Sequence, residues 1–243
     1  MAFLATCCRL LTKPVHFRFL FVLGVLLASS FVHSAVAEIA DDSLLPYAVN
    51  VHRTPMQTWG PGYGIYLGKG LFITAAHVAG RGWFTRPKIA IAGQEYPTRI
   101  VKEGSFEGTD VTVLAVQESL LPMRLQMRRM KLCAKEPWPG ERVVTVVPEG
   151  SVRTYILSPA KLPSDVRKFS TVIADVARTG NSGSGVFDLQ QRCLLGIMSR
   201  KISVSRTRPD TGKTELVDLA KYFVPAFEIR TFLPPDTGEN LDQ

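Results

Sequence analysis

The chain has 243 residues, 46% hydrophobic and 21% charged, a balance that excludes disordered, collagen-like and coiled-coil chains. Its 29 Lys+Arg against 21 Asp+Glu give a formal net charge of +8, which first points toward an anionic partner such as nucleic acid or a membrane surface. Four cysteines are too few for a disulfide-built scaffold, and one apolar run near the start is too isolated for a polytopic membrane protein.

That run belongs to residues 1–37, which read as an export signal. Arg9, Lys13 and Arg18 form a positive leader without acids, Phe19 to Val32 is uncharged and apolar, and Ala35-Val36-Ala37 offers the small residues of a cleavage site. Removal of the signal leaves 206 residues with a net charge of +5, exported to the periplasm or the medium and no longer inserted in the membrane. Only Cys133 and Cys193 remain, either bridged in an oxidising compartment or buried as two thiols. Together with His52 and His77 they are too few for a zinc site, so no metal or cofactor is expected. No nucleic-acid motif accompanies the positive charge, part of which sits in a basic stretch at Arg124–Lys131, so no nucleic-acid partner is expected.

The remaining chain reads as short strands divided by Gly and Pro. In order they are Tyr47–His52, Tyr63–Leu67, Gly70–Thr74, Lys88–Ala92, Thr98–Val101 and Val111–Val116. Ser119 to Lys131 follows as a less ordered basic connector. Then come Val143–Val147, Thr154–Leu157, Phe169–Ala174, Gly185–Phe187 and Cys193–Ser199. Only the end looks helical, with Pro225 as first helical residue and Phe227, Ile229 and Phe232 packing on the body. The pattern predicts an all-β protein of two small domains, residues 38–120 and 121–243.

Three segments carry chemistry, each at a strand edge: Thr74-Ala-Ala-His77, Thr109-Asp110-Val111, and Gly180-Asn181-Ser182-Gly183-Ser184-Gly185. A serine hydroxyl needs a base to become a nucleophile, and an imidazole titrates close enough to neutrality to serve. A buried carboxylate then fixes the imidazole tautomer, and glycines beside the serine let backbone N–H groups turn toward a developing oxyanion. Taken singly, these would be a strand-edge histidine, a turn aspartate and a glycine-rich loop. Their joint order of His, Asp, Ser is that of the chymotrypsin type.

These segments resemble the three signatures of chymotrypsin-fold, trypsin-like serine proteases, with Gly-Asn-Ser-Gly similar to the bacterial HtrA and V8-like branch. Gly62 to His77 resembles the strand pair leading to the catalytic histidine, and Val224 to Leu233 its closing helix. The resemblance implies two six-stranded antiparallel β-barrels with a short C-terminal helix. It also implies a monomeric endopeptidase that cuts polypeptides through an acyl-enzyme. His77 would be the general base, Asp110 its orienting carboxylate and Ser182 the nucleophile, with the N–H groups of Gly180 and Ser182 as oxyanion hole. Ser184 is the rival nucleophile, and His52 matches no motif and reads as structural. Ser199 matches the segment on which substrate backbone is laid as an added strand. A catalytically silent barrel that acts as a binding module is the competing class.

The sequence also departs from the family pattern. Gly185 stands where a Pro is usual. Asn181 carries no charge to receive a freed N-terminus, so signal removal at Glu38 would suffice for activation. Val176 and Ala177 would line the first substrate pocket, without a carboxylate at its floor, although Asp175 lies one position away. Arg200-Lys201 stands where relatives carry an aromatic residue and a glycine. The expectation is a small apolar or an acidic side chain before the cleaved bond.

Overall fold

A computed structural model describes residues 43–52, 62–162, 171–174 and 182–235. The expected signal at 1–37 lies outside them. After a 3-10 turn at Leu45–Tyr47 the chain enters β1 (Ala48–His52), and β2 (Gly62–Gly68) and β3 (Leu71–Thr74) follow as a hairpin. β4 (Lys88–Ile91) and β5 (Gln94–Pro97) are joined by Ala92-Gly93, both at positive φ (49° and 81°), which suits a two-residue hairpin turn matching the strand twist. β6 (Arg99–Lys102) and β7 (Thr112–Ala115) complete an antiparallel sheet of order β5-β4-β1-β2-β3-β7-β6.

The second sheet contains β8 (Arg142–Val147), β9 (Gly150–Tyr155), β10 (Val172–Ala174), β11 (Gly185–Asp188), β12 (Cys193–Thr207) and β13 (Thr214–Pro225). Its order is β10-β13-β12-β11-β8-β9, with every pair antiparallel. The architecture is the expected one of two curled antiparallel sheets and a closing helix. The first sheet has seven strands where six were expected, the extra one being β5. β12 runs eight residues beyond the expected end at Ser199, and β13 was not anticipated.

The sheets share an apolar core. Ile65, Leu67, Ile73, Val111 and Val113 from the first meet Val144, Val146, Phe187, Leu194, Ile197 and Val224 from the second, all essentially inaccessible. Each such side chain contributes about 1.5–3 kcal/mol relative to exposure. A separate cluster around Tyr66, Phe72, Ile89 and Leu114 fills the first sheet. Val143, Ile156, Ile173, Val186, Met198 and Phe223 fill the second.

The basic connector is packed against this body. Leu121 and Leu125 enter the first core, a short helix forms at Met123–Gln126, and the Met130 N–H donates to the Leu67 carbonyl. Its cations stay outside, with the Arg128 guanidinium over the Tyr47 ring. Two more single-turn helices, Ala76–Ala79 and Gly82–Thr85, interrupt a region read as strands and turns. The closing helix is Ala226–Phe232, with Pro225 one position before it as N-cap. Ile229 and Phe232 pack on the shared core as expected, but Phe227 is 42% exposed on the outer face. Among the described residues no helix is long and apolar enough to cross a membrane.

Cys133 and Cys193 form a disulfide, which settles the open choice between bridge and thiols. It closes a sequence separation of 60 residues, and chain-entropy arguments assign such a loop a stabilisation of about 4 kcal/mol. Replacing both cysteines by alanine in the 38–243 chain is expected to lower the unfolding free energy by that amount, measured by urea unfolding. A double variant as stable as the oxidised parent would refute it.

Candidate active site

The strand ladder brings His77 and Asp110 together. Thr74 and Thr112 pair at the end of the β3–β7 ladder, so the chain leaving Thr74 and the chain arriving at Thr112 lie at the same end. Thr74 is fully buried and donates its hydroxyl to the Tyr63 carbonyl (2.6 Å). The turn Ala76–Ala79 then lifts the His77 ring to the surface, half-buried.

Asp110 is 1% exposed, and every oxygen it presents is used. Oδ1 accepts the His77 backbone N–H (3.1 Å), and Oδ2 accepts from His77 Nδ1 (2.8 Å) and from Ser199 Oγ (2.6 Å). A carboxylate that accepts from Nδ1 requires the proton on that nitrogen, which leaves Nε2 as an acceptor facing away. Burial alone would raise the Asp110 pKa. The hydrogen bond and charge of His77, with the Ser199 hydroxyl, outweigh it and hold the carboxyl below its ordinary range.

Ser182 sits in the turn before β11 and is tied to both sheets. Its carbonyl accepts the Tyr63 N–H (2.9 Å) from β2, and the next N–H, of Gly183, donates to the Met198 carbonyl (2.7 Å) of β12. Gly183 has φ +84°, and a Cβ there would lie 1.9 Å from the Tyr63 carbonyl oxygen, so no side chain fits beside Ser182 on that side. The Ser182 hydroxyl donates to the Ser199 carbonyl (3.2 Å) and makes no hydrogen bond to His77. Its backbone N–H has no partner among the described residues. Ser184, the rival, is 0% exposed, with its hydroxyl buried and without a hydrogen-bond partner among the described residues.

The geometry thus assembles His77, Asp110, Ser182 and Ser199. Ser199 has a part the sequence did not reveal, since its side chain joins the second sheet to Asp110 of the first. Gly180, Val176, Ala177, Asp175 and Asn181 lie outside the described residues. His52 is elsewhere, bonded through Nδ1 to Glu95 (2.8 Å), which also receives Lys88 Nζ (2.7 Å). No group of three or more His, Cys, Asp or Glu able to hold a metal occurs among the described residues.

Two further neighbours were missed. The Phe106 and His77 rings meet in a T-shaped arrangement (5.4 Å between centroids), and the Arg200 guanidinium lies over the Phe106 ring (3.9 Å) while donating to the Phe106 carbonyl (2.5 Å). Burial first, and then the Glu228 carboxylate, push the Tyr222 phenol beside Arg200 up to about 12. Lys221 lies in the apolar run Leu219 to Val224, where a single cation was itself a sequence signal.

Comparison with known proteins agrees with this fold. The family model of the trypsin-like peptidase domain matches residues 62–197, more than half of the chain. Among solved structures, a serine-to-alanine mutant of Rv3671c from M. tuberculosis H37Rv, in an inactive form, is similar with 16% identity and a TM-score of 0.52. The match covers 78% of this chain and 86% of that one. Kallikrein-related peptidase 10 is similar with 15% identity and a TM-score of 0.51, covering 76% and 92%. At such identities the likeness is one of fold. Comparison with curated protein sequences finds no match. Because the family match spans the very strands and turns that present His77, Asp110 and Ser182, the chain belongs to the trypsin-like peptidase family and is a serine-type endopeptidase of chymotrypsin fold.

Proposed function

We propose that this endopeptidase cleaves polypeptides through an acyl-enzyme on Ser182, with His77 as general base and Asp110 as its orienting carboxylate. The observation that carries the reading is the pair of bonds from Asp110 to the backbone and ring of His77, made by a carboxylate that is 1% exposed. The pair leaves Nε2 as the proton acceptor. Ser182 Oγ leaves the Ser199 carbonyl, passes its proton to Nε2 and bonds to the scissile carbon. The carbonyl π pair moves onto oxygen, where the Ser182 N–H, and that of Gly180, receive the charge. Collapse breaks the C–N bond, and the amine departs with the proton from Nε2. A water then gives a proton to Nε2 and its oxygen to the acyl carbon. The second collapse frees the acid and returns the proton to Ser182 Oγ.

Export is part of the proposal. Residues 1–37 would direct the chain out of the cytoplasm, and the released protein would act as a monomer in the periplasm or medium. The Cys133–Cys193 bridge supports this setting, because disulfides persist in oxidising compartments.

The alternative is a silent barrel that binds without cutting, and one observation favours it: the Ser182 hydroxyl is bonded to the Ser199 carbonyl and not to His77. Treatment of the 38–243 protein with a fluorophosphonate probe separates the two. A phosphonyl adduct on the Ser182 peptide by mass spectrometry is expected. Absence of that adduct in a folded, disulfide-bonded sample would favour the binding module.

A further inference from the structure

We propose that the cleft beside Ser182 selects peptides with a carboxylate side chain immediately before the cleaved bond, and that Lys201 and Lys221 read it. This rests on the peptidase reading above and adds to it the substrate class.

The register of the β12–β13 hairpin makes the case. It passes from Met198↔Phe223 to Arg200↔Tyr222, with Ser199 as the bulged residue between them. Ser199 is thereby turned so that its carbonyl takes the Ser182 hydroxyl while its own hydroxyl reaches Asp110. The next pair beyond Arg200↔Tyr222 is Lys201↔Lys221. Residues directly opposite in an antiparallel ladder project to the same face, so the two lysines stand side by side two positions from Ser199.

Like charges directly opposite destabilise a ladder, and lysine is almost never fully buried unless paired. Yet Lys221 is 4% exposed and Lys201 33%. The cost is offset in part by Asp218, which accepts Lys201 Nζ (2.7 Å) and Ser203 Oγ (2.8 Å). The bond from Lys201, then that from Ser203, hold the Asp218 carboxyl below its ordinary range, and Lys221 adds to the pull. Asp218 is thus an ionised carboxylate already committed to Lys201. Lys221 has interactions of its own. On the opposite face of the hairpin, Arg200 brings a third cation to the rim, stacked on Phe106 beside His77.

Lys201, two positions from Ser199, and Lys221, directly across the ladder from Lys201, therefore form a pair of cations on one face of the hairpin, with Asp218 bonded to Lys201, while Arg200 stands on the other face. A substrate strand lying along Ser199–Lys201 carries the side chain before its scissile bond toward this cluster. A carboxylate there gains charge-assisted bonds at a partly desolvated site, whereas a lysine or arginine meets like charge. Neither lysine was recognised as a reader from sequence. Lys201 was noted only as a departure, and β13 was not anticipated.

The test uses the 38–243 protein with matched fluorogenic peptides that carry Glu, Gln or Lys before the cleaved bond, after fluorophosphonate titration of Ser182. The expected result is a kcat/KM for Glu over Gln of about tenfold or more, with Lys the poorest substrate. Lys221→Met should erase most of that ratio, and Lys221→Glu should turn the preference toward Lys. Because a buried substitution can prevent folding, the more exposed Lys201→Met provides a second arm, expected to lower the Glu/Gln ratio several-fold. Titrated protein that cuts Gln or Lys peptides as fast as Glu peptides would overturn the selectivity alone. Protein that does not label at Ser182 would overturn the peptidase reading and this inference with it.

Discussion

Ser182→Ala is expected to reduce kcat for peptide hydrolysis by about 10⁴- to 10⁶-fold while leaving the fold intact. Under the proposed mechanism, the size of the effect follows from the loss of the atom that would bond covalently to the substrate. The stability cost should be small, because the half-buried hydroxyl makes one 3.2 Å hydrogen bond, to the Ser199 carbonyl. The bonds that shape the turn, from Tyr63 N–H to the Ser182 carbonyl and from Gly183 N–H to Met198, belong to the backbone and survive the change. KM should move little, since the hydroxyl contributes chiefly to the transition state. A variant that keeps more than about a hundredth of the parent kcat would shift the nucleophile elsewhere. Ser184 would then be the residue to test, although its burial argues against it.

Asp110→Asn is expected to cost about 10⁴-fold in kcat. An amide in that position can no longer accept every bond that Asp110 accepts now. If its NH₂ faces His77, the ring must turn its bare nitrogen inward and its N–H outward, which removes the base. The same change should alter acid stability. The folded Asp110 carboxyl is held below its ordinary range, so it favours the native state above the unfolded carboxylate pKa. That contribution is lost as pH falls through the folded value. Urea midpoints of the parent should therefore drop more steeply below about pH 4 than those of Asp110→Asn, because only the parent has this carboxylate to protonate. Parallel acid limbs for the two proteins would show that Asp110 is not held in that state. Loss of activity without any tautomer defect, read from imidazole NMR, would make the residue merely structural.

Much of this site was legible because it depends on residues close in sequence. Thr74 to His77, Thr109 to Leu114 and Ser182 to Gly185 each lie within one strand end and its turn, and their residue types are dictated by the chemistry. Strands that are near-continuous apolar runs, such as Leu71–Thr74 and Arg142–Val147, with consecutive residues buried, were likewise readable from their hydrophobicity. What escaped was polar. Gln94–Pro97 buries only Tyr96 and ends on a proline, so nothing in its hydropathy announces an edge strand. β13 hides its period behind Glu215, Asp218 and Lys221, and it is defined by eleven paired positions with β12 that no local pattern encodes. The link from Ser199 to Asp110 spans 89 residues. Ser199 was read for its backbone, and its hydroxyl gained a role only once the sheets were in place. Phe106 was missed for the same reason, since a phenylalanine in a glycine-rich loop has no partner until His77 and Arg200 reach it.

The partition of the site between the sheets has a consequence for the timing of activity. His77 and Asp110 are synthesised well before Ser182, and the strand that carries Ser199 comes later still. An extended chain contains every group named above and yet has no proteolytic site. Under the proposed function, chemistry switches on only when Val113, Phe187 and Ile197 close the shared core and bring Asp110 to Ser199. Under that reading a newly made chain would be inert toward its surroundings until folding has assembled the site.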